Sequence, residues 1–164
     1  MLIDREDERM ALEREYERDQ ASFVVVYGRR RIGKTSLLVD FPKDKCGVYF
    51  LATEESEAQN RATFKGVVAD FLDDDLIRHA SFDRWDDLFD RLTQDVSQRI
   101  VIVLDEFQYL GKANNAFLSV LQRIWDSLLR ERNVMLVLCG SLISLMVEQT
   151  LAHRSPLYGR RTAQ

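Results

Sequence analysis

Residues 22–41 read SFVVVYGRRRIGKTSLLVDF, and most of the fold prediction depends on this stretch. It opens with a β-branched apolar run, 22–27, which predicts a buried parallel strand that runs into a glycine-rich loop. The loop, GRRRIGKT over 28–35, is a complete G-x-x-x-x-G-K-[ST] motif. From Lys34 the apolar spacing becomes helical, and Pro42 ends the helix. The order strand, loop, helix is the context that this motif needs, so the sequence predicts a site for nucleotide phosphates.

Each position of this phosphate loop has a chemical reason. Gly28 and Gly33 allow a backbone path that a Cβ would obstruct, so that successive N–H groups can face the phosphates. We expect Lys34 to reach the β- and γ-phosphates and the Thr35 hydroxyl to bind Mg²⁺. The predicted nucleotide-binding residues are consecutive: Gly28, Arg29, Arg30, Arg31, Ile32, Gly33, Lys34, Thr35 and Ser36. The three arginines occupy variable positions, where they either contact the phosphates or point outward to acidic neighbours or a partner.

A second strand, IVIVL at 100–104, is followed at once by Asp105 and Glu106. Ligands bind at the carboxyl ends of parallel strands, so we expect Asp105 to hold Mg²⁺ and Glu106 to polarise the attacking water as general base. The alternative is an acid pair that merely ends a strand. Guanine-nucleotide switches usually carry D-x-x-G at this point and N-K-x-D later, and this chain has neither. ATP is therefore favoured over GTP.

Two further catalytic candidates lie near the end of the chain. The strand predicted at 134–139 ends in LCGS. There Ser141 either hydrogen-bonds the γ-phosphate or the attacking water, or simply caps the following helix. The segment SPLYGRRT at 155–162 contains Arg160. This arginine either stabilises the transition state, in cis or in a neighbouring subunit, or belongs to a solvated basic turn.

The remaining segments predict helices that alternate with strands. A charged helix is expected at 4–19, a second strand at 47–52, two or three amphipathic helices within 54–98, and another helix at 115–131. Strands that alternate with helices indicate a parallel sheet with right-handed crossovers. The fold prediction is therefore α/β.

Composition narrows the class of protein. The 164 residues are 46% hydrophobic and 30% charged, with a formal net charge of -4. This negative balance argues against a broad nucleic-acid-binding face. Cys46 and Cys139 are far apart, which indicates reduced thiols rather than a disulfide framework or a metal site. The longest apolar stretch, 134–147, is too short and too interrupted to span a membrane, so we expect a cytoplasmic protein without a membrane partner.

Taken together, these motifs resemble the archaeal-type ATPase family, in the STAND branch of AAA+-like P-loop NTPases. The resemblance rests on DRED near the start, FVVVYGRRRIGKTSLL, IVIVLDEFQYL, LCGS and SPLYGRRT, and it covers essentially the whole chain. It implies ATP as the nucleotide and a three-layer ASCE-type core with strand order 5-1-4-3-2. It also implies Lys34 and Thr35 as the Walker A pair, Asp105 and Glu106 as the Walker B pair, and Arg160 as the arginine of the family's G-R signature.

The resemblance carries expectations about the rest of the protein as well. In such proteins the early acidic and basic stretch, here 5–8, lies near the adenine. Members are typically longer and continue into a fifth strand, a helical lid and a winged-helix or nuclease-like part. We therefore expect one domain over 1–164 that lacks strand 5, lid and effector domain. Self-association is expected through the open edge of the 22–27 strand or through an arginine-finger interface, and any DNA partner would act through the missing C-terminal part.

Three functions fit these observations. The first is an ATPase that uses Mg²⁺ and drives or gates an attached module, with DNA as one target. The second is a nucleotide-dependent scaffold or switch that does not hydrolyse; Glu106 argues for turnover, and the expected lack of a lid argues for slow turnover. The third, a nucleotide or small-molecule kinase, fits the phosphate loop but not Asp105-Glu106 followed by LCGS and GRRT.

Overall fold

The computed structural model describes residues 3–27, 34–95 and 97–140. Within them, four strands form one parallel sheet in the spatial order β1-β4-β3-β2. The strands are β1 (Ser22–Tyr27), β2 (Cys46–Leu51), β3 (Ile100–Asp105) and β4 (Val134–Gly140). Their order is the one expected for strands 1 to 4 of the predicted sheet, which confirms this part of the topology.

Seven α-helices connect or precede these strands in the described residues. They are α1 (Ile3–Tyr16), α2 (Lys34–Asp40), α3 (Glu57–Leu72), α4 (Asp75–His79), α5 (Trp85–Thr93), α6 (Gln108–Ala113) and α7 (Phe117–Ser127). Two short 3-10 helices, Phe41–Asp44 and Leu129–Glu131, follow α2 and α7. Strands that follow each other in the chain are thus joined through helical segments, as parallel strands require.

Apolar side chains cover both faces of the sheet. On the face towards α1 and α2 the cluster consists of Leu12, Val24, Leu37, Leu38, Phe41, Val101, Val103, Met135, Val137 and Cys139. The opposite face carries a larger, aromatic cluster with members from α3, α5 and α7. There the ring centroids of Phe50 and Phe64 are 5.3 Å apart, and those of Phe23 and Trp125 are 5.2 Å apart. The sheet therefore lies between two helical layers, as the three-layer prediction requires.

The region after β3 differs from the sequence prediction. A helix was expected at 115–131, but α7 ends at Ser127 and a 3-10 turn follows. The Ser127 hydroxyl donates to the carbonyl oxygen of Arg123 at 2.6 Å, a local bond that competes with helix continuation. The short helix α6 was not predicted. Its six residues include Gly111, and such a brief element leaves little periodicity to read.

Two predictions from composition can be compared with the structure. Cys46 and Cys139 are both thiols and form no disulfide with each other. Within the described part of the chain, no helix is both long enough and apolar enough to cross a bilayer.

Candidate functional site

The carboxyl ends of β1, β4 and β3 lie side by side at one edge of the sheet. Tyr27, the last residue of β1, pairs with Gly140 of β4, and Leu104 of β3 pairs with Leu138 of the same strand. Because all three strands run in parallel, Tyr27, Gly140 and Asp105 end their strands at this common edge. This is the position where open parallel sheets bind ligands.

The phosphate loop has the predicted strand and helix on its two sides. β1 ends at Tyr27 and α2 begins at Lys34, so Lys34 and Thr35 occupy the first turn of that helix and Ser36 follows as an exposed residue. The N-terminal turn of a helix carries free N–H groups and partial positive charge, which favour an anion. The loop residues Gly28, Arg29, Arg30, Arg31, Ile32 and Gly33 lie outside the described residues, as do Ser141 and Arg160, so their roles stay predictions.

Asp105 is the last residue of β3 and is fully buried. By the alternation of a strand, its side chain lies on the same face as Val101 and Val103, which is the face that α2 covers. The Asp105 Oδ1 accepts a hydrogen bond from the Glu106 N–H at 2.8 Å, and its Oδ2 accepts one from the Tyr49 hydroxyl on β2. A buried carboxylate needs such donors, because leaving it unpaired would cost several kcal/mol.

The Tyr49 hydroxyl is the donor in this pair. Burial raises the pKa of Tyr49 above its usual value, and the hydrogen bond to Asp105 raises it further. The phenol is therefore neutral at physiological pH and keeps its proton for the carboxylate. Tyr49 was not among the residues predicted from the sequence. It pairs with Val103, two positions before Asp105, so the strand register places both side chains on one face.

Glu106 turns the chain away from β3. Its φ of 55° lies in the left-handed region, which costs a non-glycine residue about 1 kcal/mol or more. Its carbonyl oxygen accepts from the Tyr109 N–H at 3.0 Å. The next residue, Phe107, is fully buried, and its N–H donates to the Cys139 carbonyl oxygen at 2.9 Å. The sharp turn at Glu106 thus lets Phe107 keep its bond to β4 while the Glu106 carboxylate stays at the sheet edge.

Gln108 contacts the Glu106 side chain. Gln108 is 1% exposed, and its Nε2 donates to the Glu106 Oε2 at 2.9 Å. Among the described residues, the Gln108 Oε1 is buried and has no hydrogen-bond partner. The sequence prediction missed Gln108, although its place two residues after Glu106 was visible in the DEFQ segment.

The donor set at the sheet edge fits Mg²⁺ bound together with a nucleotide. In the described residues no group of three or more His, Cys, Asp or Glu side chains is arranged to hold a metal by itself. Mg²⁺ does not need such a group, because it is usually held by one or two carboxylates, substrate phosphates and water. Asp105 can provide the carboxylate, and Thr35 on the first turn of α2 carries the hydroxyl predicted to join it.

A family model and known sequences match this chain. Residues 2–163 match the family described as ATPase domain predominantly from Archaea. The uncharacterized protein MJECL04 of Methanocaldococcus jannaschii is 36% identical over 162 residues, which are 99% of this chain and 34% of that protein. The uncharacterized ATP-binding protein MJ0423 of the same organism is 40% identical over 45 residues, which are 27% of this chain and 76% of that protein.

Solved structures resemble the fold as well. The Walker-type ATPase Paby2304 of Pyrococcus abyssi has a TM-score of 0.71 at 22% identity, over 94% of this chain and 50% of that one. The Orc1 protein of Aeropyrum pernix, solved in complex with DNA, has a TM-score of 0.64 at 17% identity, over 97% of this chain and 44% of that one. At such identities the likeness concerns the fold alone.

The family match extends over nearly the whole chain, whereas the chain spans only 34% of MJECL04 and 50% of Paby2304. The α/β fold with its four-stranded parallel sheet agrees with that match. The chain belongs to the family of ATPase domains found predominantly in Archaea.

Proposed function

We propose that this chain binds ATP together with Mg²⁺ and hydrolyses it to ADP and phosphate. One observation carries the proposal: the buried Asp105 ends β3, directly before Glu106, at the same sheet edge where β1 ends ahead of the phosphate loop and α2. A phosphate-binding turn and a catalytic acid pair at one edge are the two parts that ATP hydrolysis needs.

Each residue has a distinct task in this reaction. The loop N–H groups and Lys34 bind the β- and γ-phosphates and offset their negative charge. Thr35 and Asp105 would hold Mg²⁺, which when bound neutralises charge on the phosphate oxygens. Tyr49 fixes the orientation of the Asp105 carboxylate by its hydrogen bond.

Glu106 acts on the nucleophile. Its carboxylate accepts a proton from a water molecule while the water oxygen attacks the γ-phosphorus and the bond from that phosphorus to the bridging oxygen of ADP breaks. The proton thus moves to Glu106, and ADP and inorganic phosphate are the products. Ser141 as a hydrogen-bond donor to the γ-phosphate and Arg160 as a transition-state arginine complete the proposal.

The output of hydrolysis belongs to a longer protein in this proposal. MJECL04 and Paby2304 both extend well beyond the matched region. We infer that ATP turnover drives or gates an attached module in the cytoplasm, as in the STAND branch of AAA+-like NTPases. A DNA target is consistent with the fold likeness to Orc1, whose structure includes DNA.

Self-association would use one of two surfaces. One is the edge of β1, which in the described residues pairs with β4 on one side only, and the other is an arginine-finger contact. Sedimentation velocity with and without Mg·ATP tests both.

Phosphate release measured with ATP and Mg²⁺ tests the proposed reaction. We expect release that requires the metal, is lost in Lys34→Ala and is independent of any added phosphoacceptor. A kinase would instead transfer phosphate to an acceptor such as a nucleoside monophosphate. A switch that does not hydrolyse would bind ATP in isothermal titration calorimetry but release no phosphate. Transfer to an acceptor, or binding without phosphate release, would reject the ATPase proposal.

A further inference from the structure

Two energetically unfavourable features lie two residues apart at the end of β3. Glu106 has a left-handed backbone although it is not glycine. Gln108 has a side-chain oxygen, Oε1, that is buried without a hydrogen-bond partner among the described residues. Unfavourable local geometry of this kind persists at functional sites, where the surrounding structure holds a reactive group in place.

The orientation of the Gln108 amide explains why its oxygen is left unpaired. The Gln108 Nε2 donates to the Glu106 Oε2 at 2.9 Å. If the amide were turned over, its oxygen would face the Glu106 carboxylate, and two acceptors would repel each other. The amide therefore keeps the orientation in which Nε2 donates to Glu106, although this leaves the Gln108 Oε1 without a partner among the described residues. Since the Gln108 side chain is 1% exposed, packing restricts it to few rotamers and the bond to Glu106 is well defined.

Glu106 is also fixed through its backbone. Its N–H donates to Asp105 at 2.8 Å, and the following Phe107 is anchored in the core and bonded to β4. With the backbone held in this way, the carboxylate direction depends on the side-chain torsions, and Gln108 contacts one of the two carboxylate oxygens. This bond therefore restricts the direction in which the Glu106 carboxylate can accept a proton from water in the proposed reaction.

We propose that Gln108 is a positioning residue for the general base: its amide holds the Glu106 carboxylate in the orientation that activates the attacking water. This inference rests on the proposed function, because it gives Gln108 an effect on hydrolysis through Glu106 and not on nucleotide binding. The proposal gives each residue of the DEFQ segment its own role. Asp105 binds the metal, Glu106 is the base, Phe107 anchors the segment in the core, and Gln108 orients the Glu106 carboxylate.

The test compares turnover and binding in two variants. Gln108→Met has a similar length and Gln108→Leu has a similar volume, and neither side chain can donate a hydrogen bond. We expect both to lower kcat about ten- to a hundredfold, the effect of losing one hydrogen bond to a charged group. The Kd for Mg·ATP, from isothermal titration calorimetry, should stay within about twofold of the parent value, because no binding contact is lost.

A matched control separates positioning from general damage. Asn60 also carries a side-chain amide and is 1% exposed, but its bonds are to Thr53 and to the backbone of Ser56. Asn60→Leu should lower the melting temperature by an amount comparable to Gln108→Met while leaving kcat within about twofold of the parent.

A double-mutant cycle decides whether Gln108 acts through Glu106. In the Glu106→Gln background, Gln108→Met should cause no further loss of the residual rate, because the base it orients is already absent. The proposal would be overturned if Gln108→Met lowered kcat by the same factor in the parent and in the Glu106→Gln background. It would also be overturned if both Gln108 variants kept the parent kcat while Glu106→Gln was inactive. That last pattern would leave the proposed ATPase intact, whereas hydrolysis by Glu106→Gln at the parent rate would overturn the role of Glu106 and with it that of Gln108.

Discussion

The hydroxyl of Tyr49 on β2 donates a hydrogen bond to the Oδ2 of Asp105, the buried carboxylate that ends the neighbouring strand β3. The raised pKa of Tyr49 keeps the phenol protonated, so the bond persists at physiological pH. The carboxylate that we propose to bind Mg²⁺ is therefore oriented before the nucleotide arrives, and less ordering would be required when Mg·ATP binds.

Tyr49→Phe should weaken both the fold and the metal site. Removing the donor leaves a buried carboxylate oxygen less well satisfied, which should lower the free energy of unfolding by about 1–3 kcal/mol in urea denaturation. The Mg²⁺ concentration for half-maximal hydrolysis should rise. Tyr16→Phe is the control, because Tyr16 packs its ring against Phe41 and that contact is kept. Equal stability and equal Mg²⁺ dependence of the two variants would contradict the role given to Tyr49.

The sequence predicts the strands well because their signals are local. The bounds of β1 agree with the prediction, and β2 lies one residue earlier than expected, at Cys46–Leu51 rather than 47–52. The order of the four strands came from the family resemblance, since hydrophobic periodicity does not specify neighbours in a sheet. It is confirmed by the pairing of β4 with both β1 and β3.

The two acidic residues of the candidate site could be predicted from the sequence, but the residues that hydrogen-bond to them could not. Asp105 and Glu106 follow an apolar strand directly, which is a pattern in the sequence. The contact of Tyr49 with Asp105 joins residues 56 positions apart and depends on strand register. Glu106 has a left-handed backbone directly before Phe107, which is anchored in the core. A glutamate at position 106 gives no indication of this conformation in the sequence. Such features depend on tertiary packing, so a local pattern does not reveal them.

Two glycines give a stability test of the packing between β2 and the 3-10 turn that follows α2. A Cβ on Gly47 would lie 2.6 Å from the Cβ of Pro42 and 3.1 Å from the Val101 carbonyl oxygen, whereas a Cβ on Gly66 in α3 has nothing within 4 Å. Gly47→Ala should therefore lower the free energy of unfolding by about 1–3 kcal/mol through overpacking. Gly66→Ala should raise it by about 0.5–1 kcal/mol, because alanine favours a helix interior. Chemical denaturation measures both, and a stabilising Gly47→Ala would contradict the close approach of the 3-10 turn to β2.

Lys34→Ala should abolish tight binding of ATP, because the loop N–H groups alone lack the cation that offsets the charge of the β- and γ-phosphates. Isothermal titration with Mg·ATP measures the loss. The matched control is Lys112→Ala, which removes an exposed lysine that pairs with Glu54 and should leave the affinity unchanged. Undiminished affinity in folded Lys34→Ala protein would remove the phosphate-loop assignment.

Glu106→Gln distinguishes hydrolysis from binding. The amide has nearly the shape of the carboxylate and can still contact its neighbours, but it cannot accept the proton of the attacking water. Glu54→Gln is a suitable control, because Glu54 is exposed and pairs with Lys112. The steady-state rate of phosphate release from saturating Mg·ATP, measured beside the Kd of each variant, is the quantity to compare. We predict that Glu106→Gln binds Mg·ATP as the parent does and releases phosphate about 10²- to 10⁴-fold more slowly, with Glu54→Gln unchanged; release by Glu106→Gln at the parent rate would contradict its assignment as the general base.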